Sequence, residues 1–253
     1  MRIHPLIIVL GWTVVLLLLW EASVQAFSIP RYILPPASEA ISDVVKQWPY
    51  YLRHFGVTAT EAIAGLLFGI VSGFLVGIAM RFGGFAGKLL EPLVIGTQVF
   101  PKEALAPVFL VVLGFGLEPK IVVSMLISFF PIAIGTARGL SATPQSFERL
   151  FRVLGAKPLE TFLRAQLPFA SVHIFSALRM AASLCVIGAV VGEFVGASSG
   201  LGHVIRSASS EIAMQRVYAA LLLLGVLGGT IYGTVILIEN LLFKRLKLSL
   251  TAV

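Results

Sequence analysis

The chain has 253 residues, 58% of them hydrophobic and only 12% charged, with a formal net charge of +7. Soluble domains carry about 25% charged residues, so this composition excludes an ordinary soluble domain and points to a multi-spanning membrane protein. The positive charge is read as the flanks of membrane spans rather than a nucleic-acid surface. The single cysteine, Cys185, excludes an intramolecular disulfide and a cysteine metal cluster, and reads as packing.

The first apolar run, Leu6 to Trp20, follows Arg2 and His4. It is read as a retained span. The alternative is a signal peptide, for which Val24 and Ala26 fit a small-residue cleavage site. Residues 21–56 are mixed, and Ile29-Pro30 and Pro35-Pro36 break them. Within them Ala40, Ile41, Val44, Val45 and Trp48 predict a short amphipathic helix at the outer interface, where Trp48, Tyr50 and Tyr51 are at home.

The second span is expected from Val57 to Met80. Its Gly65, Gly69, Gly73 and Gly77 recur every four residues and form one stripe that another helix can approach closely. The stripe fits a contact within the chain or a dimer contact equally well. The third span, Leu89 to Gly114, is interrupted by Pro92, Pro101 and Pro107, with Lys102 and Glu103 near its middle. Prolines there free backbone carbonyls, and charges at that depth face a protein interior or a water-filled path. A fourth span runs from Ile121 to Ala137, a fifth from Val172 to Val195 with Arg179 inside it, and a sixth from Tyr218 to Leu242. Between the last two, Gly196 to Gly202 reads as a flexible small-residue loop. The expectation is an all-α polytopic protein of about six transmembrane helices, divided into residues 1–56, a core at 57–243 and a tail at 244–253.

Residues 140–168, between the fourth and fifth spans, form a basic elbow. Phe147, Leu150, Phe151 and Leu154 share one face of a first short helix, begun by Pro144 and stopped by Gly155. A second piece starts at Pro158 and carries Leu159, Phe162 and Leu163. With the amino terminus inside, the inner segments hold Arg2, Arg81, Lys88, Arg138, Arg149, Arg152, Lys157, Arg164, Lys244, Arg245 and Lys247. These outnumber Arg31, Lys46, Arg53, Lys120, Arg206 and Arg216 outside. That asymmetry places both termini and the elbow in the cytoplasm.

Catalytic chemistry is missing from the pattern. The stretch from Gly83 to Lys88 has Phe82 where a phosphate loop needs its first glycine, and Leu89 where it needs Ser or Thr. The histidines His4, His54, His173 and His203 are far apart in sequence, and no nucleophile is paired with a base. A chain that moves solute without a phosphate loop must take its energy from elsewhere.

Elbow and fifth span together resemble the inner-membrane permease of binding-protein-dependent ABC importers, in the branch serving nitrate, sulfonate, taurine and pyrimidine precursors. Gly155 and Leu167-Pro168 stand at the spacing of that family's cytoplasmic motif. Arg149, Leu150 and Phe151 fill its Glu-Ala-Ala slots, Ala165 its Ile slot, and Glu148 lies one position early. Pro101 to Pro107, Gly114 to Lys120 and Gly192 to Gly202 are similar to the branch's third span, following turn and fifth-span exit. The resemblance implies a homodimeric permease in a bacterial cytoplasmic membrane, two ABC ATPase subunits that hold ATP and Mg²⁺, and an outer solute-binding protein. This chain itself would bind no cofactor or metal and would not be an enzyme. The elbow would be the coupling helix. Phe147, Glu148, Arg149, Leu150, Phe151, Arg152, Leu154, Gly155, Ala156, Leu167 and Pro168 would form the ATPase contact. Gln98, Lys102, Glu103, Arg179 and Glu193 are candidates for the path of a small polar or anionic nutrient. The competing expectation is a self-powered secondary transporter or channel, but halves 1–125 and 126–253 show no convincing internal repeat.

Overall fold

The structure is a computed structural model that describes residues 5–246, with side chains from 11 to 244. Arg2, His4, Lys247 and the last residues of the tail lie outside the described residues, and the side chain of Arg245 is not described. Every regular element among the described residues is helical. In chain order they are α1 (Pro5–Ala26), α2 (Ala37–Lys46), α3 (Trp48–Phe82), α4 (Gly84–Gly96), α5 (Ala106–Leu113), α6 (Glu118–Ser141), α7 (Gln145–Val153), α8 (Pro158–Thr161), α9 (Leu167–Gly196), α10 (Leu201–Ser210) and α11 (Met214–Leu246). Four helical stretches are long and apolar enough to cross a membrane: Trp48–Phe82, Glu118–Ser141, Pro158–Gly196 and Met214–Lys244. A fifth candidate is the bent pair Gly84–Val99 and Lys102–Leu113. The preceding α1 is a 22-residue apolar helix.

The core is a three-helix stack in which α6 lies between α3 and α9. The glycine stripe of α3 decides how closely the first pair packs. A Cβ on Gly73 would stand 2.8 Å from the Phe129 carbonyl oxygen and 2.9 Å from Ile132 Cβ, and one on Gly77 would meet Thr136 Cβ at 2.5 Å. Gly65 and Gly69 face Ser124 and Ser128 in the same way. The stripe is thus occupied by α6 of the same chain. Alanines and one cysteine, Ala181, Ala182, Cys185 and Ala189, do the same work on α9, completing a core with Ala62, Leu66 and Ile132. By contrast α11 shows most of its apolar surface outward, as a lipid-facing helix does.

Three boundaries differ from the hydropathy reading. α3 starts nine residues earlier than Val57 because Pro49 fits a helix's first turn. Its 35 residues span roughly 52 Å, well beyond a 30 Å hydrocarbon core. The second elbow piece does not stop before the fifth span. A single π-turn at Phe162–Gln166 joins α8 to α9, and the Leu167 amide bonds the Phe162 carbonyl five residues back. That shift lets Pro168, which has no amide hydrogen, enter the helix without breaking it. Finally, α10 lies within the segment after Gly196, where the sequence reading marked no helix. Leu201, Val204 and Ala208 pack inward at helical spacing, a signal masked by the Gly and Ser around them.

Candidate functional site

The elbow is built by α7, α8 and the π-turn. Pro144, in extended conformation, sits one position before the helix and caps α7 rather than opening its first turn. At the other end Gly155 adopts φ +75. Its amide donates to the Arg152 carbonyl (3.1 Å) and the Ala156 amide to the Phe151 carbonyl (3.0 Å). This paired ending needs a left-handed residue, which glycine supplies without strain. The chain therefore turns tightly between α7 and α8.

Glu148 fastens the elbow to the bundle. Its Oε1 accepts from Gln166 Nε2 at 2.9 Å and pairs with Arg81 of α3 at 3.2 Å. Ring contacts add to the attachment, Phe147 on Phe169 with centroids 4.9 Å apart and Phe82 on Phe162 at 5.9 Å. Arg152 and Ala156 line a notch between Glu148 and Phe82. Leu167 and Pro168 begin α9 and sit half-buried, and Arg149 points to solvent. The exposed apolar face consists of Leu150, Val153 (84% exposed) and Leu154 (71% exposed), with Phe147 at its edge. Phe151 is turned partly inward. Val153, absent from the sequence-based face, was legible at the i+3 position from Leu150.

The second feature is a cavity of about 530 Å³. Its wall is made where the third span breaks. The helices on either side of Phe100-Pro101 are bent by 84°, and Gln98, Lys102 and Glu103, on the short 3₁₀ turns that flank the break, face the cavity opposite Arg138 of α6 and His173 and Ser176 of α9. Lys102 Nζ lies 4.3 Å from the centroid of Phe130, which holds the ammonium against the cavity wall. Arg138 and His173 were not among the sequence candidates. Each is a lone polar residue near a span end, and only the packing of α6 against α9 brings them together.

Arg179 and Glu193 do not line this cavity. Arg179 turns to α11 and pairs with the nearly buried Glu239 at 2.8 Å. Removing Arg179, itself partly exposed, leaves the nearly buried Glu239 carboxylate without its cation. Arg179→Met is therefore expected to lower the unfolding temperature in detergent, and Arg179→Met/Glu239→Leu to recover most of the loss. Glu193 is fully buried against α3 and α10, where Thr58 Oγ1 donates to its Oε1 at 2.6 Å. Lys120, counted above as an outer-segment cation, is likewise buried, 3.4 Å from Glu61.

A multi-pass helical bundle with a broken span beside a cavity and an elbow with an exposed apolar face has the architecture of a type I ABC importer permease. Residues 65–247 match the family described as the binding-protein-dependent transport system inner membrane component, and the chain belongs to that family. It is 34% identical over 210 residues to a probable ABC transporter permease protein of Haemophilus influenzae, covering 83% of this chain and 86% of that one. Over 233 residues it is 31% identical to the formylaminopyrimidine transport permease protein ThiX of Halalkalibacterium halodurans, covering 92% and 93%. Among solved structures, the inward-facing MetNI methionine ABC transporter matches with a TM-score of 0.68 at 20% identity, over 77% of this chain and 97% of that one. This protein is thus a multi-pass inner-membrane permease of an ABC importer. Membership implies solute-binding and ATPase partners.

Proposed function

We propose that the chain works as a homodimeric permease whose elbow receives the motion of two ATPase subunits and whose cavity passes a small polar or anionic nutrient. ATP and Mg²⁺ would be held by those subunits and not by this chain, and both termini and the elbow would lie in the cytoplasm. The observation that carries the reading is the elbow itself. Its apolar residues Leu150, Val153 and Leu154 are exposed, while Glu148 and the π-turn tie the same piece rigidly to α3 and α9. Such a helix fits a groove on a partner, and Glu148 bonds it to Gln166 in the π-turn that leads into α9, so displacement at the elbow is delivered to the cavity wall.

For the solute, the cationic groups Lys102 and Arg138, with the imidazole of His173 and with Gln98 and Glu103 beside them, favour a small molecule with anionic or hydrogen-bonding groups. Relatives named for formylaminopyrimidine, aliphatic sulfonates and taurine transport all handle molecules of that kind. The glycine stripe is taken up within the chain, so a dimer must use other faces.

The test is purification of the tagged chain in mild detergent, followed by reconstitution. An ATPase subunit is expected to co-purify, and uptake into liposomes to require ATP, that subunit and the binding protein. A chain that purifies alone in several detergents and transports without ATP would instead be a self-powered transporter.

A further inference from the structure

The far end of the bundle from the elbow holds a buried charge cluster that does not line the cavity. Glu61 of α3 and Glu193 of α9 are each 0% exposed, and Lys120 of α6 is 4% exposed. Glu193 is an acceptor at both oxygens, from the Thr58 hydroxyl at Oε1 and from the Gly202 amide of α10 at Oε2. The Thr58 oxygen in turn accepts the Leu201 amide at 2.8 Å. This ties the first turn of α10 to α3 and α9.

Glu61 is the unusual member. Its Oε1 is 3.4 Å from Lys120 Nζ, yet neither of its oxygens has a hydrogen-bond partner, although its carboxyl group faces that of Glu193. Two carboxylates cannot bond to each other, whereas a carboxylic acid and a carboxylate can. Fully ionised, the cluster would bury two negative charges against one positive charge, and an uncompensated buried charge is among the costliest groups a protein can hold. The neighbours do not make up the difference. His54 Nδ1 accepts the Gly200 amide at 2.9 Å, so that ring is neutral with its hydrogen on Nε2. His203 and Arg206 both bond the Ala197 carbonyl.

We propose that Glu61 and Glu193 together bind one proton, carried on Glu61 and shared with Glu193, so that the cluster with Lys120 is electrically neutral and α10 is latched to the bundle. Glu193 stays the ionised acceptor of the α10 amide and the Thr58 hydroxyl. Glu61 donates to it and keeps its Oε1 beside the Lys120 ammonium. Loss of the proton would set two negative charges face to face and loosen the first turn of α10.

Charge counting makes the test sharp. Infrared spectra of the full-length permease in lipid, in H₂O and D₂O, are compared between wild type and variants for the carboxylic-acid C=O stretch. The wild type is expected to show an acid band that Glu61→Gln and Glu193→Gln each remove, because either variant leaves one carboxylate against Lys120. Lys120→Met, with two carboxylates and no cation, is expected to raise the band about twofold, and Lys120→Met/Glu61→Gln to return it to the wild-type level. An acid band that persists unchanged in both Gln variants, or no acid band in the wild type, overturns the proposal. The Gln variants are close in shape to the native residues, so they decide the matter even if Lys120→Met does not fold.

Discussion

Gly155→Pro is expected to abolish uptake while leaving the protein inserted in the membrane at normal level. Three features of the elbow collide with proline at once. The native φ is +75, which the proline ring cannot adopt. The Gly155 amide donates to Arg152, and proline has no such hydrogen. Leu154, at φ −74 and ψ 1, is in the region that a following proline disfavours. Each alone is serious, and a misplaced proline costs about 3 kcal/mol, or about a hundredfold in the population of the native turn. Because the elbow is exposed and short, the cost falls on the turn and not on the bundle.

Leu150→Asp separates shape from contact. It leaves the backbone of α7 intact and puts a carboxylate in the middle of the exposed apolar face. Uptake and the amount of co-purified ATPase are expected to fall together. The check is uptake in cells, membrane-fraction quantity and ATPase recovery measured side by side. Undiminished uptake in both variants would remove the elbow from the mechanism.

Gly73→Leu should fail at the level of the fold. Even the first carbon of the new side chain would stand 2.8 Å from a backbone carbonyl of α6, and neither backbone can yield without opening the core. Gly73→Ala is the graded version, with a loss of about 1–3 kcal/mol, typical of overpacking. Gly229→Ala on α11 is the control, since nothing lies within 4 Å of the carbon it adds. Thermal unfolding in detergent should rank them, with Gly229→Ala near wild type, Gly73→Ala lower and Gly73→Leu failing to accumulate. Wild-type stability for Gly73→Leu would mean that α3 and α6 are not held at this distance.

Both features were visible in the sequence to different depths. At the elbow, the helical spacing of Phe147, Leu150 and Leu154 and the stop at Gly155 are local properties, and they stand in the structure much as read. The role of Glu148 was not legible. In sequence it is one position away from the family's motif, and its partners Arg81 and Gln166 lie 67 and 18 residues away. The break at Pro101 was legible because proline acts on its own backbone. Which charges share the cavity was not, since Arg138 and His173 reach it only through the packing of α6 on α9.

The sequence by itself determined that the chain is a helical membrane protein with a basic elbow, because hydropathy, proline placement and charge asymmetry act over a few residues at a time. Only the tertiary structure decided what the glycine stripe of α3 packs against. The sequence offered an internal or an external partner on equal terms, and the choice depends on where α6 lies. The same holds for the intramembrane charges. Arg179 and Glu193 read alike as lone polar residues in a span. In the folded bundle one pairs with Glu239, and the other joins Glu61, Lys120 and the start of α10, because burial makes each charge seek the partner that packing places beside it.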